Sequence, residues 1–443
     1  MRKESRLKFR KFIVAALAAS LCLAAAVSSS AQGDITGGIG QFAIQPKKPK
    51  TVSQAKPRPP AVKARATANE RLIVAANKGD AATTEDLLKS GADANAKSDD
   101  GCAALVYAAA GKNTDAVQTL LSKGADANAR CADGVSALMV ASESGDAATA
   151  QALIDHNADV NAKTTDGRTA LIFAASNGQL DIVNALLAKG AEVDARYKDG
   201  RTPLIFAAAN GHADVAGVLL SKGADVNAHA DDGWTSLLWA CWTSQEDVVK
   251  LLLSSKADIG ARDKDNDTAL MKAATQKYSF TGGQPRGQGD DAQFPRDVEI
   301  VQLLLAKGAD VNARGNNGGT ALLFASTRAG DDSLVNALIA AGADVNVHNE
   351  AGLTPVILAA AYGRISTLDA LFAKGADANA RTPKGFTALM AAANTGLANT
   401  VQELLDHGAD VNAKTTDGRT ALAFAQVNGQ DRVVGILKSH GAQ

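Results

Sequence analysis

The stretch HNADVNAKTTDGRTAL at residues 156–171 returns at residues 407–422 with one change, Gly408 for Asn157. Related versions recur between the two copies, such as GAEVDA at residues 190–195 and GADVNA at residues 223–228, 33 residues later. A fixed period of about 20 to 50 residues indicates one supersecondary unit stacked in a row. The sequence therefore predicts a repeat protein.

Each repeat is predicted to contain a turn, a helix, a loop and a second helix. Asp166-Gly167 in the fourth repeat is typical of a tight turn, because glycine accepts a positive φ. Thr169 can cap the helix that follows, and Pro203 of the fifth repeat suits a first helical position. Apolar residues at helical spacing mark the second helix, which stops at a glycine cap, Gly190. These residues are Ile182, Val183, Leu186 and Leu187.

The pattern Asp-Gly-x-Thr-Pro-Leu-x-x-Ala-Ala-x-x-Gly, followed by Leu-Leu-x-x-Gly-Ala-Asp-Val-Asn-Ala, resembles the ankyrin repeat. Ten repeats match it well and a degenerate one precedes them, so that the resemblance covers residues 69–443. It implies an all-α solenoid of about eleven helix-turn-helix repeats with projecting β-turn hairpins. The histidine that the family has after the leucine is replaced by an apolar residue in every repeat, and we expect apolar packing in its place. The replacements are Val106, Met139, Ile172, Ile205, Leu238, Met271, Leu323, Ile357, Met390 and Ala423.

The spacing of the two near-identical stretches locates an insertion. They lie 251 residues apart, 20 more than seven periods of 33. One extra residue falls in the eighth repeat, and 19 form a loop at residues 277–295 between the two helices of the seventh. The glycine and glutamine content of this loop favours disorder, while Tyr278, Phe280 and Phe294 leave a binding role open.

The first 68 residues are of a different kind. Residues 1–31 combine a basic start, an Ala-rich apolar run and a small-residue cleavage site, which predicts a bacterial secretory signal peptide, with an uncleaved anchor as the alternative. Residues 32–68 form a Pro/Lys-rich linker that is expected to be disordered. We therefore expect an exported protein, periplasmic or extracellular, that is not inserted in the membrane after cleavage.

Charge is distributed unevenly along the chain. The formal net charge is −1, but the predicted signal and linker contribute +5 and +6, so the repeat array carries −12. An acidic array argues against nucleic-acid binding and favours soluble protein partners.

Residues with catalytic or metal-binding chemistry are few. The six histidines are scattered, the usual catalytic and metal motifs are absent, and we expect no enzyme activity, no cofactor and no metal site. Cys241 is expected in the core. Cys102 and Cys131 lie on the projecting turns of adjacent repeats and could form a disulfide in an exported protein.

The resemblance implies that partners contact the turn tips and the exposed end of the first helix. Large residues concentrate at such variable positions in the middle of the array, and exposed Trp, Tyr and Arg often carry binding energy. The predicted partner-binding residues are Trp234, Trp242, Arg201, Tyr197, Arg168 and Phe386. Trp239 aligns with Phe173 and is expected in the core. The alternative is that these aromatics cover a sixth repeat that has Ser244 and Lys256 in place of its usual glycines.

The function expected from the sequence is that of a monomeric, non-catalytic scaffold that binds a protein partner in the groove of the array. Two alternatives stay open. One is a receptor for a carbohydrate or another small ligand that uses the tryptophans, and the other is a secreted effector that acts on the proteins of another cell.

Overall fold

The computed structural model describes residues 67–99, 101–275, 280–281, 284–285, 294–328 and 332–443. These residues form an all-helical repeat solenoid in which 22 helices make eleven pairs, as the sequence predicts. The array divides into two compact units, one ending at Ala257 and the other beginning at Asp258. The first contains repeats one to six, and the second contains repeats seven to eleven.

The helix pairs follow the chain in order. The N-terminal unit contains α1 (Ala68–Lys78), α2 (Ala81–Lys89), α3 (Ala104–Ala110), α4 (Thr114–Ser122), α5 (Ala137–Ser144), α6 (Ala147–Asp155), α7 (Ala170–Ser176), α8 (Leu180–Ala188), α9 (Pro203–Asn210), α10 (Ala213–Ser221), α11 (Ser236–Trp242) and α12 (Glu246–Ser254). The C-terminal unit contains α13 (Ala269–Ala274), α14 (Phe294–Ala306), α15 (Ala321–Ala325), α16 (Ser333–Ala340), α17 (Pro355–Ala361), α18 (Ile365–Phe372), α19 (Ala388–Thr395), α20 (Ala398–Asp406), α21 (Ala421–Val427) and α22 (Asp431–Ser439).

A hydroxyl residue starts most of the first helices. The Thr169 hydroxyl accepts a hydrogen bond from the Ile172 amide at 3.3 Å, which satisfies one of the amides that the first turn leaves unpaired. Thr67 and Glu70 cap α1 reciprocally, so the array begins one residue before the predicted start. The capping threonines expected from the sequence thus set where the helices begin.

The core lies between successive first helices and between the two helices of each pair. The apolar residues in place of the family's histidine are buried from the second repeat to the tenth, and Ala423 of the last repeat is half-buried. The nine buried residues are enclosed by their neighbours, as a short helix apolar around its circumference requires. The predicted replacement of a hydrogen-bonded histidine by apolar packing is confirmed.

Asparagine side chains connect successive repeats at the base of the turns. The Asn161 side chain accepts from the Glu192 amide at 2.8 Å and donates to the Gly190 carbonyl at 3.1 Å. Asp194 stands at the same position one repeat later and only accepts, from the Asp225 amide at 3.2 Å. The Asn residues that the sequence assigns to turns therefore also join neighbouring repeats.

A six-residue finger projects from each repeat junction. In the fifth repeat it spans residues 196–201 and is closed by a 2.9 Å hydrogen bond from the Tyr197 amide to the Arg201 carbonyl. Adjacent fingers are joined at their tips, since the Lys198 amide donates to the Asp166 carbonyl at 3.0 Å and the Asp231 amide to the Asp199 carbonyl at 2.8 Å. Main-chain hydrogen bonds therefore fix each of these tips against the next.

Both ends of the insertion in the seventh repeat are tied to the eighth. The Arg328 guanidinium pairs with Asp297 at 2.7 Å and donates to the Thr275 carbonyl at 3.2 Å. Thr275 precedes the insertion and Asp297 follows it, and the Arg328 side chain is only 10 % exposed. Within the insertion, strand β1 (Phe280–Thr281) pairs antiparallel with β2 (Gln284–Pro285). The other residues of the predicted loop lie outside the described residues, except at its C-terminal end, where α14 begins at Phe294.

The predicted signal peptide and nearly all of the predicted linker also lie outside the described residues. Among the described helices, none is long and apolar enough to cross a membrane.

The sixth repeat keeps the common backbone but departs from the common residue type at two positions. Ser244 has a φ of +56° and Lys256 a φ of +66°, where most other repeats have glycine. A β-carbon is strained in this left-handed region by about 1 to 2 kcal/mol. The sixth repeat therefore holds its conformation at a cost that most of its neighbours avoid.

Replacing Lys256 by glycine should relieve this strain. We expect Lys256→Gly to raise the free energy of unfolding of the full chain by about 1 kcal/mol in chemical denaturation. The control is Ser255→Gly next to it, where φ is −88° and no strain exists, so that added backbone entropy should lower stability by about 0.5 to 1 kcal/mol. A loss of stability in Lys256→Gly would contradict this interpretation.

Candidate partner-binding site

In the fourth to seventh and the eleventh repeats the finger folds back onto the first helix of its own repeat. Its last residue packs on the residue five positions later, which lies on that helix. In the fourth repeat the Arg168 guanidinium lies 5.5 Å from the centre of the Phe173 ring, and in the fifth the Arg201 guanidinium lies 4.6 Å from the centre of Phe206. We call this packed pair, together with the finger side chains that contact it, a finger joint.

Tyr197 joins the fourth and fifth fingers. The guanidinium groups of Arg168 and Arg201 each lie 5.4 Å from the centre of its ring, and its ring centre is 6.0 Å from that of Phe206 in an edge-to-face arrangement. Cation–π contacts of this kind contribute about 0.5 to 2 kcal/mol, more when they are shielded from water. The predicted site residues Arg168, Tyr197 and Arg201 are therefore brought together in one stack.

An aspartate on each finger neutralises the arginine of that finger. Asp166 pairs with Arg168 and Asp199 with Arg201, both at 2.7 Å. Burial alone raises the pKa of Asp166, but hydrogen bonds from Thr164, Arg168 and Tyr197 and the arginine charge outweigh it and hold that pKa below its ordinary value. The Arg168 and Arg201 side chains are only 16 % and 18 % exposed, so they orient Tyr197 more than they project into solvent.

The tryptophans of the sixth repeat form a compact cluster. Trp234 was predicted to be exposed, but it is only 8 % exposed. Its ring lies 4.6 Å from that of Trp239 and 6.1 Å, edge to face, from that of Trp242. Trp234 is buried because it is the last residue of its finger and packs on Trp239, which lies five positions later. Trp239 is buried as predicted, and Trp242 is half-buried at the end of α11.

Two further contacts between neighbouring repeats use other chemistry. Cys102 and Cys131 correspond to Arg168 and Tyr197, and the structure joins them in a disulfide. In the C-terminal unit, half-buried Phe386 ends the tenth finger and contacts Phe424, on the first helix of the next repeat, edge to face at 5.5 Å.

The joint of the seventh repeat is a buried charge cluster. The Lys272 ammonium lies 2.6 Å from Asp263 and 2.9 Å from Asp267, and its side chain is 5 % exposed. Burial lowers the pKa of Lys272, but the two aspartates outweigh this effect and raise it above its ordinary value. Lys272 thus stays charged in a position that holds phenylalanine in four other repeats.

The sequence contains a signal for these joints that composition and helical periodicity do not reveal. The residue that ends a finger matches the chemistry of the residue five positions later. The pairs are Arg168 and Phe173, Arg201 and Phe206, Trp234 and Trp239, Asp267 and Lys272, and Arg419 and Phe424. The tip residues Lys198 and Asp231, both exposed, were not predicted as part of the site.

Among the described residues, no group of three His, Cys, Asp or Glu side chains is arranged to hold a metal ion. The candidate site in the fourth to sixth repeats is instead a surface of stacked aromatic and charged side chains on fixed fingers. Such a surface can bind a partner.

Comparison with known families agrees with this architecture. The family described as "Ankyrin repeats (3 copies)" matches residues 72–164, 112–197, 151–230, 171–263, 292–382 and 356–443, and "Ankyrin repeat" matches residues 265–316. The chain therefore belongs to the ankyrin repeat family, whose members generally mediate protein–protein interaction. No curated protein matches the chain.

The charged joint of the seventh repeat can be tested by exchange. Lys272→Met should lower the free energy of unfolding by about 3 to 5 kcal/mol, because it leaves two carboxylates without their cation. The triple variant Asp263→Thr/Asp267→Arg/Lys272→Phe gives the seventh repeat the residues that the fourth has at these three positions, and Asp265 then takes the place of Asp166. The counterpart of Tyr197 stays Gly315. We expect it to recover to within about 1 kcal/mol of the unmodified protein. Equal losses in the single and triple variants would contradict the exchangeable-joint interpretation.

The disulfide joint can be tested by counting thiols. The chain from residue 32 onward, denatured without reductant, should show one reactive thiol, that of Cys241, and three after reduction. The variant Cys102→Ser/Cys131→Ser should lose about 3 kcal/mol of stability. Three thiols before reduction would exclude the bond.

Proposed function

We propose that the protein is an exported, monomeric, non-catalytic scaffold that holds a protein partner against the fingers and first helices of its fourth to sixth repeats. The observation that carries the proposal is the stack of Tyr197 between Arg168 and Arg201, with Trp242 half-buried at the end of α11. Aromatic and arginine side chains fixed in place before binding lose little conformational entropy when a partner docks.

A protein partner fits this surface better than a carbohydrate does. Sugar binding needs an open aromatic face, and the ring of Trp234 is covered by Trp239 and Trp242. Tyr197 is likewise enclosed by two arginines. The half-buried rings of Tyr197 and Trp242 leave edges that suit the side chains of a polypeptide.

Export is supported by two independent features. The first 31 residues have the composition of a signal peptide, and disulfides such as Cys102–Cys131 persist in oxidising compartments. The net charge of −12 in the array disfavours nucleic acid as a partner. The secreted-effector alternative uses the same surface and differs only in where the partner resides.

Site-specific photocrosslinking tests the proposal. A photoreactive amino acid is placed at Lys198, on a finger tip, and in a separate variant at Asn184, an exposed residue of α8. Each purified protein is irradiated in an extract of the source cells. We expect a discrete crosslinked protein from position 198 and none from position 184, because partners dock on the fingers and first helices.

The double variant Tyr197→Ala/Trp242→Ala, checked for folding by circular dichroism, should reduce crosslinking from position 198 about tenfold or more. Equal crosslinking from both positions, or no effect of the double variant, would place the partner elsewhere. Saturable binding of a sugar that protects the fluorescence of Trp242 from a quencher would favour the receptor alternative.

A further inference from the structure

The fifth and sixth fingers carry opposite charges. The fifth, at residues 196–201, has Arg196, Lys198 and Arg201 against one acid, Asp199. The sixth, at residues 229–234, has Asp231 and Asp232 and no lysine or arginine. A positive tip therefore stands next to a negative tip in the middle of the candidate site.

The two tips are held in fixed positions. The Asp231 amide donates to the Asp199 carbonyl at 2.8 Å, and the Lys198 amide donates to the Asp166 carbonyl at 3.0 Å. A β-carbon at Gly200 would lie 2.7 Å from the Asp231 carboxylate and 3.0 Å from its amide nitrogen, so the fingers are in close contact there. Main-chain hydrogen bonds between the fingers therefore hold these charged residues in place.

The outward charges are available to a partner. Arg201 is compensated by Asp199, and its guanidinium faces Tyr197. Lys198 and Asp231 are exposed, and in the part of the chain that the structure describes neither forms an ion pair within the protein. The Lys198 ammonium lies 5.6 Å from the centre of the Tyr197 ring, which places it at the edge of the aromatic stack.

The distance between neighbouring repeats predicts how far apart the matching charges lie in the sequence of a partner. Packed helices lie about 8 to 10 Å apart, and an extended chain in the polyproline II conformation advances about 3.1 Å per residue with three residues per turn, so that side chains three residues apart lie on the same side. A segment that crosses from the fifth finger to the sixth therefore meets the two tips with side chains about three residues apart.

We propose that the partner docks an extended polypeptide segment whose acidic side chain meets Lys198 and whose basic side chain, about three residues away, meets Asp231 and Asp232. An apolar side chain between them contacts Tyr197 and Trp242. This inference rests on the proposed function and adds the chemistry of the partner. Charge pairs of this kind fix register and orientation and suppress wrong partners.

Peptide selection tests the pattern without a known partner. A displayed library of random 12-residue peptides is panned at low salt against the disulfide-bonded chain from residue 32 onward, and against its Lys198→Glu and Asp231→Lys/Asp232→Lys variants. We expect peptides selected on the unmodified protein to carry an acid and a base about three positions apart. Lys198→Glu should replace the selected acid by a base, and Asp231→Lys/Asp232→Lys should replace the selected base by an acid.

Single selected peptides give the quantitative result. Lys198→Glu should weaken their binding about tenfold or more, and exchanging the acid of the peptide for lysine should restore it. The matched control Lys222→Glu removes an exposed lysine at the end of α10 and should change binding less than about twofold.

The outcomes separate this inference from the proposed function. Peptides whose binding is lost in Tyr197→Ala/Trp242→Ala, but which show no charge pattern and no response to Lys198→Glu, overturn the charge inference and leave the binding face in place. Failure to select any peptide sensitive to Tyr197→Ala/Trp242→Ala counts against both.

Discussion

Every repeat of this protein depends on the neighbour that covers it. A seven-residue helix such as α7 is apolar around its whole circumference and cannot be stable in water by itself. Its surface is buried by the first helices on either side and by its own second helix. Stability in such an array is a sum of local interfaces with no single central core. The side chains that connect one repeat to the next are therefore the ones that matter most.

Those connections are of two kinds. Asn161 and its equivalents make the same hydrogen bonds at the base of many turns, so they can be read from the repeated motif. The finger joints vary between repeats, and they appear as an arginine–tyrosine stack, a disulfide, a tryptophan pair or a buried lysine between aspartates. The packing of one repeat on the next is constant because the hydrogen bonds of Asn161 and its equivalents are constant. The surface is variable because the second kind tolerates any pair of side chains that suit each other.

This difference sets how much could be predicted from the sequence. The period of 33, the capping role of Thr169 and the glycine caps are local signals, and they predicted the helices and their pairing. Trp234 was assigned to solvent because a variable turn position is exposed in a single repeat considered alone. Its contact with Trp239 spans five residues, which is neither a helical nor a strand period, and it exists only because the finger folds back over its helix. The charged joint at Lys272 escaped notice for the same reason.

The contacts of Arg328 with Thr275 and Asp297 have a consequence for the length of the inserted segment. Because Thr275 and Asp297 are held by one guanidinium of the following repeat, the register of the stack is set at the feet of the inserted segment and not by its length. An inserted segment of another length that keeps Thr275 and Asp297 in these contacts is therefore expected to leave the packing of the seventh repeat on the eighth unchanged.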